Sequence, residues 1–235
     1  MIIEGPLLSG VFIERPNRFI TKVLLEGKIV RSHLPDPGRL KELLIKGAEV
    51  LLHPAPKDSN RKTQYSTVMI NHKGQLISLV STLPNRFVLE SLEKNTLPMF
   101  KNYKLVRPEI VFGKHRFDFL LKNRKGKKFY LEVKSVTYVE NRVAQFPDAV
   151  TERGTRHAKT LAKLVDKENE AGILFVCQRP DADRFRPMWK RDPKFSKALL
   201  LAKEAGVKVW CITTHISKTE MSFNKIIPVD LSFTS

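Results

Sequence analysis

The sequence predicts a two-domain chain of the α/β (α+β) class, a small β-barrel followed by a mixed sheet flanked by helices. Three observations predict it. At 235 residues and 42% hydrophobic content, the chain can build two small cored domains. Residues 1–84 read as short strands separated by turn residues, with little helix. From 85 onward, helical periodicity alternates with apolar strand-like runs in the order α-β-β-β-α-β-α-β. The domains are therefore expected at 1–84 and 85–235.

In the first domain, Ser9–Glu14, Phe19–Glu26 and Lys28–Ser32 have strand composition, with a tight turn at Glu26-Gly27. LPDPG at 34–38 reads as a rigid loop, and LKELLIKG at 40–47 as a short helix closed by Gly47. Glu49–His53, Tyr65–Asn71 and Leu76–Val80 complete a set of about six short strands. Short strands with one helix on a basic background suit an OB-fold; an SH3-like barrel fits the same pattern.

In the second domain, Arg86–Lys94 is helical and Thr96-Leu97-Pro98 breaks it. Strands are expected at 104–112, 116–122 and 128–136. A helix is expected from about Asp148 to Asp166, with Val150, Gly154, Ala158, Leu161 and Val165 on its packed face. Pro147-Asp148-Ala149 reads as its start. Ile173–Cys177 is a buried strand by composition. Asp192 is placed to cap a helix that runs through Ala205 and ends at Gly206. Val207–Thr213 is a further buried strand.

The net charge is +18 and the sequence pI is near 10.0, with most of the excess after residue 100. This points to a polyanionic partner, most simply nucleic acid. No apolar stretch approaches the ~20 residues of a membrane span, and no basic segment followed by an apolar block opens the chain. A cytoplasmic protein without a membrane partner is expected. Two cysteines make no disulfide framework; Cys177 and Cys211 lie in apolar strand-like runs and read as small buried hydrophobes.

The chemistry is concentrated in RFDFLLKNRKGKKFYLEVKSV, which reads as a β-hairpin turning near Lys125. That turn sets Asp118 opposite Glu132. Alternation along the strand places Glu132 and Lys134 on one face and Leu131 and Val133 on the other. Two carboxylates side by side destabilise a sheet, and one resists ionising, unless a cation is shared between them. Mg²⁺ or Mn²⁺ held by Asp118 and Glu132, with the Val133 carbonyl as a further ligand, resolves the conflict. Lys134 would orient water or stabilise charge on phosphate. An Asp followed by Glu-x-Lys is the signature of the PD-(D/E)XK nuclease superfamily. Glu109 in VRPEIVF is a candidate third ligand, with Glu90 and Glu93 as alternatives. The activity expected is metal-dependent phosphodiester cleavage, and the competing reading is DNA binding without catalysis.

Candidate DNA contacts follow. Arg153, Arg156 and His157 fall at i, i+3 and i+4 and share a helix face. Arg153 is placed to contact phosphate and His157 to donate to it, while Glu152 is expected to pair with Arg156. In the first domain the candidates are Arg39, at the start of the expected helix, and Arg61-Lys62 after a loop. Phe12, Phe19 and Tyr65 lie near these basic residues and are placed to stack bases as in OB-folds, though each singly reads first as core. No helix-turn-helix pattern stands out.

Several stretches carry a family resemblance: HLPDPGRLKELL (33–44), RKTQYS (61–66), TLPNRFVLESL (82–92), RFDFLL (116–121), YLEVKSVT (130–137) and FPDAVTERGTRH (146–157). In order and spacing they resemble the sugar fermentation stimulation protein A (SfsA) family across nearly the full chain. The resemblance implies an N-terminal OB-fold, a C-terminal restriction-nuclease-like domain, DNA binding and, in bacteria, a regulatory role in maltose metabolism. The family's nuclease activity is itself an inference from fold and motif. One departure is visible: many members carry Asn where this chain has Asp36.

Overall fold

The computed structural model describes residues 1–56 and 60–233. The chain divides into two compact units. One comprises Met1–Leu83 with His215–Ser222; the other comprises Pro84–Thr214 and the chain from Phe223 on. The expected boundary between 84 and 85 did not include the short return of His215–Ser222 to the first unit.

The first unit is built on β1 (Leu8–Asn17), β2 (Ile20–Leu25), β3 (Lys28–His33), β4 (Glu49–Pro54), β5 (Tyr65–His72) and β6 (Gln75–Ser78). The strand order is β3-β2-β1-β4-β5-β6, and β3 also pairs in parallel with β5. That pairing closes five strands into an OB-like barrel, which leaves few unpaired sheet edges. Its core is apolar, with Phe12, Val23, Val50, Leu52, Ile70 and Ile77 among the buried side chains.

The helix expected over 40–47 is absent. Leu40 has φ 50°, and only one turn forms, with Leu43 and Leu44 N–H donating to the Leu40 carbonyl. Two bonds to β1, Gly47 N–H to Phe12 O and Phe12 N–H to Ala48 O, then draw the chain away. Leu40 and Leu43 are buried in the barrel core. Side-chain burial thus overrides helical propensity in a segment too short to hold a helix by itself. The preceding loop is sewn by Arg15, whose Nη1 donates to the carbonyls of Gly38 and Arg39, both at 2.7 Å.

The second unit holds a six-stranded mixed sheet of order β15-β14-β12-β9-β8-β7. Its strands are β7 (Tyr103–Phe112), β8 (His115–Asn123), β9 (Lys128–Val136), β12 (Asn169–Cys177), β14 (Lys208–Ile216) and β15 (Met221–Ile227). β7, β8 and β9 form an antiparallel meander; β12 runs parallel to both β9 and β14. Helices α1 (Leu83–Glu93), α2 (Glu152–Leu164) and α3 (Pro193–Glu204) accompany it. A small sheet that the sequence reading did not anticipate has order β10-β11-β13, from Val139–Glu140, Val143–Phe146 and Arg184–Pro187. β10, β11 and β13 are two to four residues long, too short for a periodic signal. Cys177 and Cys211 are fully buried as expected, and burial pushes the Cys177 thiol up to about 12. Among the described residues, no helix is long and apolar enough to cross a membrane.

Helix α2 starts later than Pro147-Asp148-Ala149. Thr151 is its N-cap, accepting from Gly154 N–H at 3.1 Å, and Val150 is exposed rather than packed. Asp192 explains this start. It caps α3 through Phe195 N–H, as expected, and its second oxygen accepts from Thr151 N–H at 2.7 Å. One buried carboxylate therefore fixes the N-termini of two helices.

Gly172 on β12 lets aromatic side chains pack against the sheet. A Cβ there would lie 2.6 Å from Phe129 and 2.9 Å from Trp210. Gly172→Ala is expected to destabilise the protein by about 1–3 kcal/mol, as overpacking does, read as a lower urea midpoint at unchanged slope.

Candidate metal and phosphodiesterase site

The β8–β9 ladder pairs Phe119 with Leu131, Leu120 with Tyr130 and Leu121 with Phe129. The same register carried one residue further sets Asp118 across from Glu132, as the sequence predicts. There the backbone ladder gives way to a side chain: Asp118 Oδ2 accepts from Val133 N–H at 2.7 Å. Its Oδ1 accepts from the Asn85 amide on α1 at 2.7 Å.

Glu132 is almost completely buried. Its neighbours Leu131 and Val133 are buried on the opposite face of β9. Glu132 Oε1 takes two partners, the Lys134 ammonium and His157 Nδ1, the latter at 2.7 Å. Glu132 Oε2 is buried with no hydrogen-bond partner among the described residues. A buried carboxylate oxygen without a donor costs free energy, about 1–3 kcal/mol. All of this pairing lies on one side of the carboxylate, which leaves an acceptor for a cation.

The two carboxylates are driven apart electrostatically. Burial, reinforced by the charge of Glu132, pushes Asp118 up to about 6; the bonds from Val133 and Asn85 and the nearby charge of Lys134 offset this only in part. Burial also acts to raise Glu132, but His157 and Lys134 outweigh it and hold the carboxyl below its ordinary value. The resistance to ionisation expected from the sequence thus falls on Asp118.

The structure brings Asp118, Glu132, Lys134 and His157 together. His157 is buried, with its ring edge-on to Phe117 and to His115. Its partner is a carboxylate rather than the phosphate expected from the sequence. Arg153 is exposed on α2, and Arg156 pairs with Glu152 at 3.6 Å as expected. Glu109 lies one strand over, between Pro108 and Ile110, whose partners Phe119 and Phe117 flank Asp118. It has φ 50° and turns toward Arg116, at 3.6 Å. Glu90 pairs with Lys94. Among the described residues, no three His, Cys, Asp or Glu side chains gather as a metal cluster. Arg39, Arg61 and Lys62 are exposed in the first unit. Arg39 follows a loop and begins no helix, so the helix-terminus argument for anion binding there does not hold.

Asn85 was missed. Its only sequence signal is its place in the family-like stretch TLPNRFVLESL; an Asn near a helix start otherwise reads as a cap. The pairing of His157 with Glu132 was missed because it joins a helix to a strand 25 residues away.

A family model described as the sugar fermentation stimulation protein RE domain matches residues 82–220, and one described as the SfsA N-terminal OB domain matches residues 13–79. The chain belongs to the SfsA family. The sugar fermentation stimulation protein homolog of Moorella thermoacetica is 42% identical over 230 residues, covering 97% of this chain and 98% of that protein. The homolog of Acetivibrio thermocellus is 40% identical over 232 residues, covering 97% and 99%. The solved structure of Pyrococcus furiosus SfsA in complex with Ca²⁺ superposes with a TM-score of 0.87 at 29% identity, covering 98% of each chain. The family thus joins an OB domain to an RE domain, as the sequence reading expects.

The raised Asp118 carboxyl fixes a pH dependence. Because its folded value lies above the ordinary value of 3.8, its contribution to stability is fully present below that range and is lost as pH rises through about 6. In chelator, Asp118→Asn should raise stability at pH 8 by about 1–3 kcal/mol and leave it nearly unchanged at pH 4. Denaturant unfolding at the two pH values checks this; equal effects at both would rule out a strained carboxylate.

Proposed function

We propose that this chain is a divalent-metal-dependent phosphodiesterase that acts on DNA. The observation that carries the reading is the half-satisfied Glu132 carboxylate: Oε1 held by Lys134 and His157, Oε2 buried without a partner, and Asp118 beside it. A DNA-binding module has no use for a buried acidic pair, which would repel phosphate.

The donor set fits a hard cation, since Mg²⁺ and Mn²⁺ take carboxylate and carbonyl oxygens. Asp118 and Glu132 would hold it, with the Val133 carbonyl as a neutral ligand. Glu109 is the proposed third carboxylate, one strand over and at a strained backbone position of the kind that clusters at functional sites. The Ca²⁺ complex of the Pyrococcus furiosus relative supports a divalent site in the family. A bound Mg²⁺ or Mn²⁺ would polarise a phosphoryl oxygen and acidify a water.

The chain's own residues do the rest. His157 fixes the orientation of Glu132 through Oε1. Lys134, mostly buried and paired to the same oxygen, holds a positive charge where a phosphate approaches two carboxylates. Asn85 orients Asp118. Arg153, Arg39, Arg61 and Lys62 are the proposed phosphate contacts, which position DNA without reading its sequence. Binding should therefore weaken steeply with salt and depend little on base sequence.

The test incubates the protein and its Asp118→Ala variant with labelled single- and double-stranded DNA in Mg²⁺, Mn²⁺ or EDTA. Cleavage should require metal and vanish in the variant, while binding persists. Binding without cleavage by the wild type under every condition would favour a non-catalytic DNA-binding protein. His157→Ala should lower Mn²⁺ affinity about 10- to 100-fold, measured by calorimetry. Metal affinity of the wild type should rise as pH passes through about 6, because Asp118 must lose its proton to act as a ligand.

A further inference from the structure

The strand that carries Glu132 and Lys134 ends at Val136, and the chain beyond it helps to wall a concave feature in the same unit. Residues of β10, β11 and β13 and the segment after β13 line a cavity of about 540 Å³. Two aromatic side chains, Tyr138 and Trp189, and three cationic ones, Arg186, Lys190 and Arg191, contribute to it. Among the described residues, Glu140 is the one acid in its lining.

Two of the cations are held in place. Arg191 Nη1 donates to the Asp148 carbonyl at 3.0 Å, and its guanidinium lies over the Tyr138 ring at 5.7 Å. Arg186 donates to Asp230 through Nε and Nη2, at 2.8 and 2.5 Å, leaving Nη1 unused by that pair. Lys190 is exposed. Trp189 is braced edge-on by Phe233, at 5.2 Å between centroids. Fixed guanidinium and indole groups lose little conformational freedom when a ligand arrives.

Purely structural roles account for Arg186 through Asp230 and for Arg191 through the loop carbonyl. They do not account for a cavity of this size bounded by two aromatic side chains and an excess of cations. A free phosphate would leave the aromatic groups unused, and an apolar ligand would leave the cations unsatisfied. A nucleotide uses both, its base against an aromatic face and its phosphate on the cations. We infer that the Tyr138–Trp189 cavity binds a nucleobase together with its phosphate, as an unstacked nucleotide of a single-stranded segment.

This inference rests on the nucleic-acid reading above. Tyr138 is four residues beyond Lys134, so the backbone between them spans at most about 14 Å. That is the run of about four stacked nucleotides at about 3.4 Å each. A strand bound at Lys134 therefore reaches the cavity a few nucleotides away. A base inside a duplex cannot present its face to a side chain without leaving the stack, so the cavity favours single strands over duplex.

The experiment is done in EDTA with the full chain. It measures the affinity of the wild type, Trp189→Ala and Lys190→Glu for a labelled oligothymidine of about ten nucleotides and for a blunt duplex, with thymidine monophosphate as competitor. Trp189→Ala is expected to weaken oligothymidine binding about five- to hundred-fold, the range set by base–aromatic stacking. Lys190→Glu, at an exposed side chain that leaves the fold unburdened, is expected to weaken it several-fold. Duplex affinity should change less than oligothymidine affinity in both variants. Displacement of the oligonucleotide by the monophosphate identifies a free nucleotide as a ligand of the same cavity; displacement only by oligonucleotide identifies the strand. Equal oligothymidine affinity of all three proteins overturns the assignment while leaving DNA binding intact. Failure of the wild type to bind either nucleic acid overturns both readings.

Discussion

The second unit depends on keeping the Glu132 carboxylate charged inside a sheet. A buried carboxylate is tolerable only when donors replace the water it has lost. Here the two donors come from different elements. Lys134 comes from the same strand two residues on, where alternation places it on the same face. His157 comes from α2, which must sit at a fixed height over β9 to deliver it. That height is set at both ends of a short chain of bonds: Thr151 caps α2, Asp192 holds Thr151 N–H, and the same Asp192 caps α3. β9 is held in turn by a nine-residue parallel pairing with β12. The position of one carboxylate oxygen is thus over-determined by the sheet and two helices, which is how a preorganised site differs from charges gathered on a loop.

Within that frame the two carboxylates are deliberately unlike in environment. Glu132 has two cationic or protonatable partners and stays ionised. Asp118 has two neutral N–H donors and a charged neighbour, and its proton is held up to about 6. Divergent titration of neighbouring acids commonly marks a working site, but here it has a simpler root. Lys134 and His157 both act on Glu132 Oε1, so little positive charge reaches Asp118. A cation between the two would supply what Asp118 lacks and what Glu132 Oε2 lacks at once. The requirement that the sequence places on the hairpin, a shared positive charge, therefore reappears in the structure as two separate deficits with one remedy.

Much of this was legible because it is local. The turn at Lys125 and the two-residue alternation of a strand fix the juxtaposition of Asp118 and Glu132 and the facing of Lys134 without any tertiary information. The barrel strands were legible for the same reason, bounded as they are by Gly, Pro and Asn. What was not legible is what crosses elements. Asn85 reaches Asp118 from 33 residues away and His157 reaches Glu132 from 25; no spacing rule links a helix residue to a strand residue. The helix at 40–47 failed where burial of Leu40 and Leu43 and two bonds to β1 outweighed propensity. The start of α2 shifted because a cap at Thr151 is secured by Asp192, 41 residues on. The sheet of β10, β11 and β13 went unseen because it is made by pairing and carries no periodic pattern.

The charge of the chain closes the argument from another direction. Were every one of the 24 acidic side chains to take a separate cation, 18 of the 42 Lys and Arg side chains would still lack a carboxylate. The acids do not divide themselves so evenly. Asp183 serves both Arg142 and Lys225, and those two bonds hold its carboxyl well below the usual range. Glu132 takes Lys134 within the site, and Asp36, Asp118 and Asp192 accept from backbone N–H groups. However the acids are shared, the surplus of positive charge stays at +18. Self-repulsion of that order weakens a compact state unless anions collect on it, and a phosphate backbone collects on it best, releasing its own counterions as it does so. The carboxylate pair by itself would turn phosphate away. Under the proposed function, a field that attracts the polyanion and a site that would admit it only beside a cation would make the metal a condition for chemistry rather than for binding.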